Sequence, residues 1–279
     1  MLAPQLKGSI GERGQRSLRS ATIKTAVLMA TAGVLLTASL TSLATAQTLT
    51  VFAASSLTES FEELAVLFER EHPGVDVNLN LAGSAILALQ VIEGAPADVF
   101  ASADLRQLQR VAAAGLVADE PTVFARNRLV VVAAKGSGVE TFADLADKGL
   151  VLVMAGPSVP AGHYAREAIT SADAARGDDF ATKVMANVVS EEQNVRLVAA
   201  KVALGEADAG IVYATDAAVF PQLRSVRIPS EHDPLASYAI AVVSGGRQVE
   251  LARAFVAMVT SEAGAAVLAA HGFSTAGPP

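Results

Sequence analysis

From Leu49 onward the chain alternates strand and helix signals, and that order restricts the fold more than any other property of the sequence. Leu49 to Ala53 is an apolar run of strand length, and Leu57, Phe61, Leu64 and Phe68 then recur at helical spacing until Pro73-Gly74 stops the pattern. Val75 to Leu81 (VDVNLNL) alternates apolar and polar residues strictly, which reads as a strand. A helix is predicted over 85–93, a short strand over 98–101 and another helix over 104–114. This βαβαβα order predicts a parallel sheet with right-handed crossovers. The order then repeats more loosely, with strands over 129–134, 150–155 and 209–213 and helices over 164–171 and 191–204. Returning strands at 226–228 and 238–243 precede helices around 249–259 and 264–270. The halves share no sequence repeat and no low-complexity linker separates them. Two α/β lobes joined by strands are expected, with crossings near Asn127-Arg128 and just before Tyr238. Residues 47–127 plus 237–279 form the first lobe in this reading and 128–236 the second, each a mainly parallel sheet flanked by helices.

The first 46 residues read as an export leader rather than as fold. Lys7, Arg13, Arg16, Arg19 and Lys24 make a basic region, Ala26 to Leu40 an apolar one, and Ala44-Thr45-Ala46 a small-residue cleavage signal. The apolar stretch is short and interrupted by Thr31, Thr37 and Ser39, so cleavage after about Ala46 is expected and a periplasmic location with it. The whole chain carries a net charge of −7, and loss of those basic residues leaves the remainder more acidic. Such a balance argues against nucleic acid and anionic lipid as partners. The absence of cysteine excludes disulfides, thiolate metal sites, a thiol nucleophile and a lipid anchor on sulfur.

Ligand chemistry is suggested first by Val51 to Leu64, where a strand breaks into Ser55-Ser56-Leu57-Thr58 and then a helix. The first N–H groups of a helix lack intrahelical partners and sit at the positive end of its dipole, so such a junction suits an anion. Neither Lys nor Arg occurs between Val51 and Phe68, and neither a phosphate-cradling GxxxxGK[ST] loop nor a dinucleotide fingerprint is present. Three more loops rich in small and hydroxylic residues follow: Ala82 to Ala85, Gly156 to Gly162 and Val212 to Asp216. Each hydroxyl taken alone is explained as an N-cap, worth about 1 kcal/mol to its own helix. All four at strand ends of one α/β sheet system point instead to a shared crevice.

Other constellations read as structural. Glu191-Glu192 is expected at a helix start and Glu62-Glu63 on a solvent face; Asp104 and Asp216 are expected as caps, and Asp98 at a strand edge. His72, His163, His232 and His271 show no zinc-type spacing, so no cation site is expected. A periplasmic serine hydrolase using Ser56 or Ser84 would have only His163 in a candidate loop as its base, and no G-x-S-x-G elbow.

Four segments, VFAASSLTESFEELA (Val51 to Ala65), EGAPADVFASAD (Glu93 to Asp104), VPAGHYAREA (Val159 to Ala168) and GIVYATDA (Gly210 to Ala217), together resemble the molybdate-binding periplasmic proteins of ABC importers. The resemblance runs from Thr50 to Phe273, although relatives often carry a serine-rich run where this chain has Ala82-Gly83. It implies a type II periplasmic-binding-protein fold that encloses a tetrahedral oxyanion between its lobes with uncharged donors. Transferred by motif, the ligand-binding set is the hydroxyls of Ser56 and Ser84, the main-chain N–H of Ala161 and Val195, and the phenol of Tyr213. Molybdenum would then enter only as oxyanion. The resemblance further implies a monomer without enzymatic activity or cofactor, which captures molybdate or tungstate and passes it to a membrane permease. A receptor for sulfate or another tetrahedral oxyanion is the alternative, distinguished by cavity size, because sulfate presents the same charge and the same four acceptors.

Overall fold

The computed structural model describes residues 47–177 and 179–275; the expected leader lies outside them. β1 (Gln47–Ala54) buries Leu49, Val51 and Ala53 completely and pairs in parallel with β2 (Val75–Ala82) on one side and β3 (Val99–Ser102) on the other. Its neighbour β2 is the edge strand, which explains the strict alternation of its sequence: Val75 and Val77 turn inward while Asp76 and Asn78 are exposed. Between them α1 (Thr58–Glu71) packs Phe61, Leu64 and Phe68 into the core, all three fully buried as the helical spacing predicts. α2 (Ser84–Ile92) and α3 (Leu105–Ala113) cover the other face, where Leu87, Val91, Leu108 and Val111 meet Phe52 and Phe100.

After β4 (Thr122–Asn127) the chain leaves this sheet, and β5 (Leu129–Ala133) already belongs to a second one. The second sheet is completed by β6 (Leu152–Ala155), β7 (Val188–Glu192), β8 (Ala209–Tyr213) and β9 (Arg224–Arg227). Its helices are α4 (Pro160–Arg176), α5 (Phe180–Asn187), α6 (Val195–Ala203) and α7 (Ala214–Val219). β10 (Ala236–Val242) returns to the first sheet, followed by α8 (Val249–Thr260), α9 (Glu262–Ala270) and the short β11 (Ser274–Thr275). The strand orders are β11-β4-β10-β3-β1-β2 and β7-β6-β8-β5-β9. Parallel pairing is confined to β3-β1-β2 and β7-β6-β8; every other pair is antiparallel, so the sheets are mixed rather than mainly parallel. The reason lies in the crossings: strands that leave or re-enter a sheet without a helical crossover add to it in reverse.

Two crossings connect the sheets, one through Arg128 and one between Arg227 and Ala236. The first is fastened on both sides. Buried Asn127 donates from Nδ2 to Thr215 Oγ1 (2.8 Å) and accepts from the Arg128 N–H (2.9 Å), while Asp233 accepts from the Leu129 N–H (3.2 Å) and pairs with the Arg128 guanidinium (3.0 Å). An aromatic series passes the same boundary, from Phe68 to Phe255 (5.3 Å between ring centroids), Phe61 (6.0 Å), Phe124 (6.0 Å), Tyr238 (6.4 Å) and Tyr213 (5.5 Å).

Two local expectations change, and a third residue proves buried where it was expected. Glu191-Glu192 closes β7 instead of opening a helix, a position made tolerable by ion pairs to Arg166 and Lys201. Asp216 lies inside α7, fully buried against Arg196, and does not cap it. Asp98 is buried too: it accepts from the N–H groups of Thr50 (2.8 Å) and Gln248 (2.9 Å), tying β3 to its neighbours. Asp104 does cap α3, accepting from the Gln107 N–H at 2.9 Å.

Candidate functional site

The strand ends of both sheets meet at one small cavity. Ser56, Ser84, Ala161, Val195 and Tyr213, the five residues expected from sequence, all line it. Ser55 and Ser56 come from the single 3-10 turn that follows β1, Ser84 opens α2, Ala161 belongs to the first turn of α4, Val195 opens α6 and Tyr213 ends β8. The first sheet thus contributes hydroxyls and the second contributes main-chain groups and a phenol.

Local sequence explains why the donors are free. Pro160 at the first position of α4 has no N–H to offer and a φ suited to a helix start, so Ala161 presents the first amide of that helix. Gly162 lets α4 begin this close to the sheet, since a Cβ there would lie 2.1 Å from the Gly156 carbonyl oxygen and 2.2 Å from that of Ala155. Asn194 caps α6 by accepting from the Leu197 N–H (3.0 Å), which leaves the amides of Val195 and Arg196 without an intrahelical acceptor. α2, α4 and α6 therefore direct the positive ends of their dipoles at one point.

The hydroxyls are arranged to the same effect. Ser84 Oγ accepts from the Ala103 N–H (3.1 Å), so its own proton is available to a ligand. Ser56 Oγ shares a 2.8 Å hydrogen bond with the Tyr238 hydroxyl; when the phenol donates, the serine proton is likewise free. Burial pushes both the Tyr213 and Tyr238 phenols well above their ordinary value, which keeps each a neutral O–H donor. The Tyr213 hydroxyl is buried without a hydrogen-bond partner among the described residues. Leaving such a group unsatisfied costs about 1–3 kcal/mol, which marks the place where a ligand acceptor belongs.

Among the described residues, no Lys, Arg, His, Asp or Glu lines the cavity. The nearby Arg196 guanidinium is engaged by Glu59 and Asp216. His163 lies outside the lining, so neither Ser56 nor Ser84 has a general base beside it there. Converging donors without a compensating cation or base can hold a compact anion that offers only acceptors; they are poorly suited to proton transfer.

The walls touch beyond the ligand space as well. Gln107 Nε2 of α3 donates to the Ser158 carbonyl oxygen (2.9 Å) across the cleft. Gly83 has ordinary extended angles, φ −64° and ψ 132°, so its backbone does not require glycine. A Cβ at this position would nevertheless lie 2.2 Å from the Gln193 carbonyl oxygen, which only a residue without a side chain can accommodate. Gly83, Asn194, Arg196 and Tyr238 were not singled out in sequence as site residues. Only Asn194, a good capping residue just before an apolar run, had a local signal that would have revealed it.

Residues 49–274 match the family model described as bacterial extracellular solute-binding protein. The molybdate-binding protein ModA of Mycobacterium tuberculosis is 45% identical over 232 residues, which cover 82% of this chain and 85% of that protein. The periplasmic molybdate-binding protein of Azotobacter vinelandii superimposes with a TM-score of 0.70 at 21% identity, covering 81% of this chain and 98% of its own. The sulfate-binding protein SubI of M. tuberculosis shares the fold as well, with a TM-score of 0.75, 18% identity and coverage of 83% and 88%. A family match over nearly all the described residues, supported by that identity, makes this chain a member of the bacterial extracellular solute-binding proteins.

Proposed function

We propose that the cavity captures molybdate, and tungstate as well, as a dianion without protons. Ser56 and Ser84 donate through hydroxyls, Ala161 and Val195 through main-chain N–H, and Tyr213 through its phenol. The observation that carries this reading is the Tyr213 hydroxyl, a buried donor with no protein acceptor, beside three helix N-termini and no cation. Hydrogen bonds to a charged ligand contribute about 1.5–3 kcal/mol each, so neutral donors suffice when several converge. The identity to a relative named for molybdate supports the choice of oxyanion.

In this reading the protein is a monomeric carrier without cofactor or catalysis. It acts in the periplasm after its leader is removed near Ala46 and delivers the anion to the permease of an ABC importer. Residues 47–127 plus 237–279 and residues 128–236 act as the two lobes that close on it, a division supported by the membership of the two sheets. Calorimetric titration with molybdate, tungstate, sulfate and phosphate at one pH and ionic strength tests the proposal. The first two should bind one per protein and far more tightly than sulfate, and a proton-bearing phosphate should not compete. Equal affinity for sulfate would replace the assignment with a general oxyanion receptor, and hydrolysis of phosphate or carboxylate esters would restore the hydrolase alternative.

A further inference from the structure

Arg196 occupies the second position of α6, next to the Val195 amide, where a cation is opposed by the helix dipole. Two carboxylates compensate for it. Asp216, fully buried in α7 of the same lobe, binds Nε and fixes the plane of the guanidinium. The other edge of the fork crosses the cleft to Glu59 in the first turn of α1, with one guanidinium nitrogen 2.8 Å from Oε1 and the other 2.5 Å from Oε2. This is a two-point pair between elements of different sheets, beside the cavity and separate from its lining.

We infer that Arg196 is a positioning residue for oxyanion capture: held by Asp216 in one lobe, it clasps Glu59 of the other when the cleft is shut and so keeps the Val195 N–H against the anion. The inference rests on the oxyanion reading of the cavity. Asp216 holds Arg196 in place within its own lobe, although burial pushes its carboxyl up to about 7, so it compensates the guanidinium charge only in part at neutral pH. Glu59, partly exposed at a helix start where an acid is already favoured, needs no cation to be stable in its own. Their contact therefore adds nothing to either lobe separately, and its free energy belongs to closure. The clasp is formed between protein groups only, so it adds to retention of any anion that fits without helping to choose among them.

Stopped-flow release of molybdate from Glu59→Ala, beside melting of the ligand-free protein, tests the clasp. A partly exposed two-point ion pair should be worth about three- to tenfold in release rate, with association changed by less than about twofold. Ligand-free melting should fall by no more than the loss of one acid from the first turn of α1, about 0.3–1 kcal/mol, allows. Added sodium chloride should accelerate release from the parent protein and lose that effect in the variant, because the screened pair is gone. Arg196→Lys, which keeps a charge for Asp216 but cannot grip two oxygens, should fall between the two. Release at the parent rate from Glu59→Ala, or a change explained by a lower ligand-free melting temperature, overturns the clasp and leaves the oxyanion site standing. A parent protein that binds no molybdate overturns the site reading, and the clasp falls with it.

Discussion

On the first sheet's side of the cavity, Ser56 and Ser84 bring hydroxyls set by side-chain identity; on the second sheet's side, Ala161 and Val195 bring amides that any residue but proline would supply. The first wall can be altered atom by atom through substitution. In the second, specificity of position resides in where helices start: Pro160, Gly162 and the Asn194 cap determine which amides are free. The two walls also age differently under mutation, since a serine is lost in one step whereas a helix start survives most changes of side chain.

The greatest effect on this pairing of walls should come from Gly83→Ala. Its backbone angles suit alanine, so the ligand-free protein should melt normally, but the added Cβ meets the Gln193 carbonyl oxygen at 2.2 Å and holds the walls apart. Overpacking of that kind costs about 1–3 kcal/mol, and loss of several ligand bonds at once adds to it, so calorimetry should show molybdate affinity reduced by roughly a hundredfold or more. Parent-like affinity in this variant would mean that the cleft need not close this far.

Removing one donor from each wall is the next test. Val195→Pro deletes an amide at the first position of α6, where proline is favoured and the extended Asn194 accepts it as neighbour. Ser84→Ala deletes a hydroxyl from the opposite side. Each should weaken molybdate binding by about 1.5–3 kcal/mol. If Val195→Pro bound as well as the parent, the second wall would hold the anion through fewer amides than proposed.

Tyr213→Phe separates binding from folding. It removes a buried donor that has no partner among the described residues, so ligand-free melting should stay level or rise while molybdate leaves faster, with affinity lower by about 1.5–3 kcal/mol. A fall in ligand-free stability would mean that the phenol has a structural partner.

The smallest effect concerns pH. The hydrogen bond from Arg196 holds the Glu59 carboxyl below its ordinary range. A depressed acid stabilises the closed form at pH above its ordinary value, and that contribution is lost as pH falls through the lowered one. Asp216, which burial pushes up to about 7, titrates against the same guanidinium at higher pH, so the Glu59 component is the difference between the parent and Glu59→Gln. Parent release should quicken below about pH 5, by less than about 1 kcal/mol because Glu59 is partly exposed. Glu59→Gln should lack this component, and measuring both proteins at each pH subtracts any protonation of the ligand.

Much of the first sheet and its helices was legible because their signals are local. β2 advertises itself by alternation at a sheet edge, and α1 by Phe61, Leu64 and Phe68. Strands whose partners are remote were not legible: β4 carries Arg126 and Asn127 and is defined by pairing with β10 and β11, far along the chain. Glu191-Glu192 misled because acids near an apolar stretch suit a helix start, whereas Arg166 and Lys201 make them acceptable at a strand end. In the cavity, all five residues transferred by motif came together, but the support around them did not announce itself. Tyr238 touches Ser56 across 182 residues, and Gly83 matters only through what stands opposite it.

The aromatic series that passes from one sheet to the other has an optical consequence. The protein has no tryptophan and three tyrosines. Tyr213 lines the cavity, Tyr238 stands 5.5 Å from it in an edge-on arrangement, and the Tyr164 hydroxyl accepts from the Ser237 N–H (3.4 Å) where the other sheet begins its last long strand. Near-ultraviolet emission from the native protein therefore originates almost wholly where the two sheets meet, the place at which the proposed ligand and closure would act. An anion that takes the proton of the Tyr213 hydroxyl as its hydrogen bond alters the fluorophore itself, so the unlabelled chain is its own reporter of occupancy.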